Sequence, residues 1–322
     1  MRPAALAAAL ALLVALAFLF NLSAGKVFIP PFGLAAGSAD ALIMAELRLP
    51  RALLALGIGA MLGAAGAALQ GWLRNPLADP AVLGISASAA LGSVLAIFLG
   101  AAATPAIVSA AGMAGAVVAM ALLLLLVGGG ASTTMFILAG VILSTLAGSL
   151  MALLISLAPT PFALGEIVTW SMGALTDRTM ADAARALPFI ALGLALLMPA
   201  ARALDALSLG EETARSLGVR IGRMQALIML GTGLGVGAGV AVSGVVGFVG
   251  LIVPHLLRPL AGEQPSAIIL PSALGGAALL LTADALVRLV PGAQELKLGI
   301  AMALIGAPFF LLLLWRHRGR IG

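Results

Sequence analysis

Ala206-Leu-Ser-Leu-Gly-Glu-Glu-Thr-Ala-Arg-Ser-Leu-Gly-Val-Arg-Ile-Gly-Arg223 is the one long polar interruption in an otherwise apolar chain. It carries Glu211, Glu212, Arg215, Arg220 and Arg223, set around Leu209, Ala214, Leu217 and the glycines Gly210, Gly218 and Gly222. The runs on both sides are long enough to cross a bilayer, which takes about 20 apolar residues. A short, charged, amphipathic insert between two such runs has to work in water, against another protein. The spacing Glu-x-Ala-x-x-x-Gly at Glu212, Ala214 and Gly218 predicts a helix with two small residues one turn apart, where a partner surface can seat. The same pattern also suits an ordinary solvated loop. If the helix forms, the acidic pair lies at its N-terminal end and Arg215 and Arg220 towards its C-terminal end, as the helix dipole favours.

Composition settles the solvent. The chain has 322 residues, of which 62% are hydrophobic and 9% charged, with a mean hydropathy of +1.21. A soluble domain carries roughly a quarter charged residues, so most of this chain is dissolved in lipid. The net charge of +5 comes from basic residues scattered singly between apolar runs, with no basic face or arm for nucleic acid. There is no cysteine, which removes disulfides, thiolate metal sites and cysteine catalysis. Tyrosine is absent too, so aromatic stacking is not the main way to hold a ligand. Trp72, Trp170 and Trp315 fall near predicted span ends and are expected to be interfacial anchors.

Apolar runs near 3–24, 52–72, 81–100, 105–127, 134–157, 186–204, 224–243, 245–260, 268–290 and 298–315 predict an all-α polytopic membrane protein of about ten spans, one permease domain over 1–322. The first run reads as a retained span, its apolar core being longer than the roughly 7–15 residues of a signal peptide. The run 52–72 is rich in glycine (Gly57, Gly59, Gly63, Gly66, Gly71), which predicts a central, closely packed helix. It stops at Asn75-Pro76, where no helix continues. Residues 162–184 are amphipathic and read as a short surface helix plus loop. A second small-residue span, with Gly235, Gly237 and Gly239, precedes the proline-bearing segment at Pro254; it echoes the first as a duplicated half would, or by chance.

With the N-terminus in the cytoplasm, basic residues divide ten to seven in favour of the cytoplasmic side, and the outer seven (Lys26, Arg48, Arg51, Arg178, Arg185, Arg288, Lys297) share their face with as many carboxylates. The positive-inside rule therefore places both termini and the 206–223 stretch in the cytoplasm.

The chemistry-bearing motifs are few. A phosphate-binding loop for ATP needs lysine followed by serine or threonine. The only lysines, Lys26 and Lys297, precede Val27 and Leu298. If transport is driven by ATP, the ATP and Mg are used by a separate chain, and no cofactor is expected on this one. Predicted spans lack the midplane carboxylate of ion-coupled carriers, which disfavours an ion-coupled secondary transporter. Asp284 and Arg288 are placed to pair within a helix. His255, after Pro254, has no neighbouring ligand and reads as a packing residue; no metal site is expected.

Several blocks then carry a resemblance: Arg48-Leu-Pro-Arg51, Gln70-Gly-Trp-Leu-Arg-Asn-Pro-Leu-Ala-Asp-Pro-Ala-Val-Leu-Gly84, Leu138-Ala-Gly140, Gly247-Phe-Val-Gly-Leu-Ile-Val-Pro-His-Leu-Leu-Arg258 and Ala303-Leu-Ile-Gly-Ala-Pro-Phe-Phe310. Together they resemble the FecCD-type permeases, membrane subunits of ABC importers for vitamin B12, ferric siderophores and haem. The resemblance implies the type II ABC importer permease fold in a bacterial inner membrane. It implies a homodimer or a pair with a sister permease, two ABC ATPase subunits beneath, and a periplasmic or lipid-anchored substrate-binding protein above. The 206–223 stretch then corresponds to the coupling segment, with Glu211, Glu212, Ala214, Arg215, Leu217 and Gly218 expected at the ATPase. Arg48, Arg51 and Arg288 match positions that meet the binding protein's acidic residues. Asn75, Leu77, Thr133 and Thr134 match positions that close the cytoplasmic end of the path. One departure is Glu295-Leu296-Lys297, where the family usually has proline third. The cargo implied is an iron(III) chelate (siderophore or haem), cobalamin, or another metal chelate or oxyanion.

Overall fold

A computed structural model describes residues 3–127, 133–292 and 295–317. Those residues contain thirteen α-helices and no strand. Helix α1 spans Pro3–Ser23. A short α2, Ala39–Ile43, runs through a π turn at Met44–Arg48 into α3, Leu49–Leu73. Then come α4 (Ile85–Phe98), α5 (Pro105–Val127), α6 (Thr133–Ser156), α7 (Pro161–Ser171), α8 (Met180–Ser208) and α9 (Glu211–Ser216). The last four are α10 (Ile221–Ser243), α11 (Val249–Ala261), α12 (Pro265–Leu289) and α13 (Leu298–His317).

Seven of these are long and apolar enough to cross a membrane unaided, and three shorter apolar helices, α4, α11 and α13, complete the ten predicted runs. The boundaries differ most at two places. Helix α8 begins at Met180, well before the expected 186, because Thr179 and Asp182 form a reciprocal capping box. Its interior prolines Pro188 and Pro199 do not end it. Helix α11 begins at Val249 rather than 245 and is 13 residues long, roughly 20 Å at 1.5 Å per residue. The non-helical backbone that precedes it is protected by protein rather than exposed to lipid. Gly244 and Val246 are buried, the Gly244 amide donates to the Val240 carbonyl at 2.8 Å, and the Val245 carbonyl packs against Gly173 and Gly299. Irregular backbone at membrane depth is tolerated only when satisfied in this way.

Helix α3 is the centre of the bundle, touching α1, α8, α10, α11 and α12. In α3 and α10, 78% of the most apolar 18-residue stretch is buried inside the chain; in α6 the share is 17%. The glycines explain the close approach. A Cβ on Gly59 would collide with the Gly276 carbonyl, on Gly63 with the Ser272 carbonyl, and on Gly66 with the Gly250 carbonyl. Lipid supplies no hydrophobic drive between helices, so such backbone-to-backbone packing is what holds them.

Trp72 departs from expectation. It is only 4% exposed and lies 4.6 Å, centroid to centroid, from Phe136 of α6. It fastens α3 to α6 instead of anchoring at the lipid interface, whereas Trp315 is 71% exposed.

Candidate functional site

The 206–223 stretch folds as the end of α8, the two-turn α9, and the first residues of α10. Its helix ends differently from the expectation. Gly218 lies beyond α9, with φ +83°; its amide donates to the Arg215 carbonyl at 2.9 Å and the next amide, Val219, to the Ala214 carbonyl at 3.0 Å. This pair of bonds is a Schellman turn, which needs a left-handed residue just after the helix. Gly218 therefore terminates the helix, and Ala214, fully buried, faces the α8–α10 stem. The paired outward seat expected at Ala214 and Gly218 is not formed, because the chain reverses between them. The exposed apolar residues at this end are Leu209 and Leu217, at 66% and 63% exposure. Glu211 and Arg215 pair across one turn at 2.6 Å, both largely exposed, a contact worth little in water.

This segment is tied to two other helices. Arg74, in the left-handed conformation at the end of α3, donates through Nη2 to the Leu207 carbonyl at 2.9 Å. Asp205 accepts the Ser266 amide of α12 at 2.8 Å, a carboxylate at a helix N-terminus where the dipole favours it. Neither residue stands out in the sequence, since each acts on a backbone atom more than 60 positions away.

The expected gate residues lie at the same end. Asn75 closes an Asx turn, its Oδ1 accepting the Leu77 amide at 2.9 Å, and Leu77 is 43% exposed. Thr134 is exposed at the start of α6, while the Thr133 side chain lies outside the described residues. The Trp72–Phe136 contact joins the two segments. Beside them, Arg258 donates to Gln70 Oε1 at 2.7 Å, and Gln70 Nε2 donates to the Gly250 carbonyl at 3.0 Å. Asp79 accepts the Ala81 amide and caps the short 80–83 helix; burial pushes its carboxyl up to about 6, the one hydrogen bond only partly opposing this. His255 packs edge-on against Phe309 at 6.3 Å. No three of histidine, aspartate and glutamate come together as a metal site among the described residues.

At the opposite end the three expected docking arginines are all buried: Arg48 and Arg51 at 7% exposure, Arg288 at 6%. Arg51 Nε meets Asp284 Oδ1 at 2.9 Å, and its Nη1 meets Glu295 at 2.8 Å. Arg288 donates to the Asn21 carbonyl at 2.7 Å and lies 3.4 Å from Asp284. Asn21 Nδ2 in turn donates to Asp284 at 3.0 Å. Arg48 donates to the Leu22 and Ser23 carbonyls at the end of α1, at 2.7 and 2.6 Å. Burial alone would raise the Glu295 carboxyl, but Arg51 and the Thr176 hydroxyl outweigh it and hold it below the ordinary range. The cluster clamps the ends of α1, α3 and α12 to the 295–297 segment. Each of its arginines donates to at least two acceptors within the chain.

Residues 12–316 match the model of the FecCD transport family. The chain belongs to the FecCD transport family. It is 38% identical to the uncharacterized ABC transporter permease protein YvrB of Bacillus subtilis, over 95% of this chain and 92% of that one. It is 36% identical to the hemin transport system permease protein HmuU of Yersinia pestis, over 86% and 84%. The vitamin B12 import system permease protein BtuC of Klebsiella pneumoniae is also 36% identical, over 97% and 93%. Among solved structures, an inward-facing metal-chelate type ABC transporter superposes with a TM-score of 0.87 and 32% identity, covering 98% of this chain and 99% of that one. The chain is thus the membrane permease subunit of an ABC importer, a non-enzymatic transport component. FecCD permeases work as dimeric permeases with ATPase partners, and the chain is an inner-membrane protein.

Proposed function

We propose that this permease carries an iron(III) chelate, a siderophore complex or haem, or the related macrocycle cobalamin, as a homodimer or paired with a sister permease. A periplasmic or lipid-anchored binding protein delivers the cargo, and ATP and Mg act only in the two partner ATPases. Relatives named for hemin and vitamin B12 support the cargo class. The observation that carries the mechanism is the α9 tip. Two exposed leucines, Leu209 and Leu217, flank a helix whose end is fixed by Gly218 and whose base is tied to α3 through Arg74 and to α12 through Asp205. An ATPase groove that grips Leu209 and Leu217, with Glu211, Glu212 and Arg215 at the rim, moves α9 and the end of α8. The Arg74 bond passes that displacement to Asn75 and Leu77, and the Trp72–Phe136 contact passes it to Thr133 and Thr134 on α6. Those residues close the cytoplasmic end of the path.

Docking of the binding protein is indirect with respect to Arg48, Arg51 and Arg288. They hold the outer helix ends as a rigid platform, and the exposed residues of the 26–40 loop meet the partner. The uncovered face of α6, where Thr145 and Ser149 are exposed and Gly148 opens on empty space, suits a polar path on the dimer axis better than lipid contact.

The test is uptake in proteoliposomes holding permease and ATPase, with binding protein and ferric siderophore, haem or cobalamin outside. Gly218→Arg strains the left-handed turn (φ +83°) and is expected to abolish uptake and ATPase stimulation while the bundle stays folded, because the strain is confined to the α9 tip, where a Cβ meets nothing within 4 Å. Gly218→Asn, which tolerates the left-handed conformation, should retain both. Normal uptake by Gly218→Arg, or uptake without ATPase that a protonophore collapses, overturns the reading.

A further inference from the structure

We infer that the groove between the lower parts of α8 and α10 binds the phosphate headgroup of an anionic phospholipid. The groove has a volume of about 380 Å³. Its apolar wall includes Pro199, Ala203 and Leu227, its polar rim is Arg202, Arg220 and Arg223, and Gly218 and Val219 of the turn after α9 also line it. All three arginines are exposed. Among the described residues none of them forms an ion pair. Of the carboxylates nearby in sequence, Asp205 takes the Ser266 amide and Glu211 pairs with Arg215, while Glu212 is exposed on α9 and does not line the groove. Three unpaired cations with no lining carboxylate call for an anion.

Depth decides which anion. Arg185 and Arg202 lie on α8, separated by about 25 Å of helix at 1.5 Å per residue. The hydrocarbon core is about 30 Å thick, a few Å more than that separation, so each arginine backbone lies just inside an edge of the core and its long side chain snorkels to headgroup level. Helix α8 continues to Ser208, which carries the α9 tip about 9 Å further into water. That depth applies to Leu209; past α9 the chain returns, and Gly218 and Val219 close the aqueous end of the groove, so a partner gripping α9 sits at that end while a lipid enters from the membrane side along Pro199 and Leu227. The phosphate meets the guanidinium rim, and the glycerol and first methylenes lie along Pro199, Ala203 and Leu227. Basic pockets between membrane helices bind anionic headgroups by this combination.

The experiment is native mass spectrometry of the permease–ATPase complex released from phosphatidylcholine nanodiscs doped with phosphatidylglycerol. The wild-type complex should retain phosphatidylglycerol, and Arg202→Gln/Arg220→Gln/Arg223→Gln should lose it about tenfold or more. Arg316→Gln/Arg318→Gln/Arg320→Gln, which removes tail charge on the same side by the sequence reading, should keep it. Should the triple variant fail to assemble, Arg202→Gln alone is expected to lose the lipid several-fold and Arg202→Lys to keep it. Undiminished retention by the groove variants overturns the assignment. So does displacement of the lipid by inorganic phosphate at millimolar level, which would mark a soluble-anion site, or cross-linking of Ala203→Cys to an ATPase subunit. The inference does not rest on the coupling role of α9, because lipid retention is read without turnover, whereas Gly218→Arg is read by transport.

Discussion

Asp79 sits at the head of the 80–83 helix with one oxygen on the Ala81 amide, and a Cβ on Gly250 would lie 2.9 Å from the other. An unburied aspartate ionises near pH 3.9; this one does so at about 6. Between those values the folded chain keeps a proton that the unfolded chain has released, so stability falls as pH rises through this window. Above it, the whole cost of a buried charge remains. Asp79→Asn keeps the cap, since asparagine serves equally well there, and removes the charge. The expected result is a higher melting temperature at pH 7.5, by up to roughly 3 kcal/mol in stability, and a flatter stability profile between pH 4 and 6. An unchanged melting temperature at pH 7.5 would show that water or a partner group already solvates the carboxylate. Gly218 is a different kind of single residue. The sequence singles it out as a small residue at helical spacing, but the structure gives glycine there a different reason, the left-handed turn after α9.

At the scale of elements, α3 against α12 is the packing on which the bundle depends. Three glycines, Gly59, Gly63 and Gly66, put the α3 backbone against the carbonyls of α12 and α11. Backbone cannot yield as a flexible side chain does. Gly63→Ala is therefore expected to cost about 1–3 kcal/mol as overpacking, read as a lowered melting temperature in detergent. Gly148→Ala on α6, where a Cβ would meet nothing within 4 Å, should leave the melting temperature unchanged or slightly raised, since alanine favours the helix, and serves as the comparison. The central position of α3 was readable from its glycine content. The partners of its charged end were not: Arg51 and Asp284 are separated by 233 positions, and no local pattern links them.

For the whole molecule, the natural absence of cysteine gives a direct reading of orientation. Ser216→Cys on α9 and Ala36→Cys in the loop before α2 are both at exposed positions. With both termini cytoplasmic, a membrane-impermeant maleimide should label Ser216→Cys only in inside-out vesicles and Ala36→Cys only in right-side-out ones. The reverse pattern would place α9 away from any cytoplasmic ATPase and remove the basis for coupling through Leu209 and Leu217.

Hydropathy runs, glycine density and the Asn75-Pro76 break determined by themselves that this chain is a bundle of about ten spans with one aqueous insert, because lipid solvation and helix termination act locally along the chain. The family blocks were also local, contiguous strings. Tertiary structure alone decided the burial of Arg48, Arg51 and Arg288, the inward turn of Ala214, the Trp72–Phe136 contact and the gathering of Arg202, Arg220 and Arg223 around one groove. Each of these depends on which distant backbone or side chain arrives opposite, and that is set by how the helices cross.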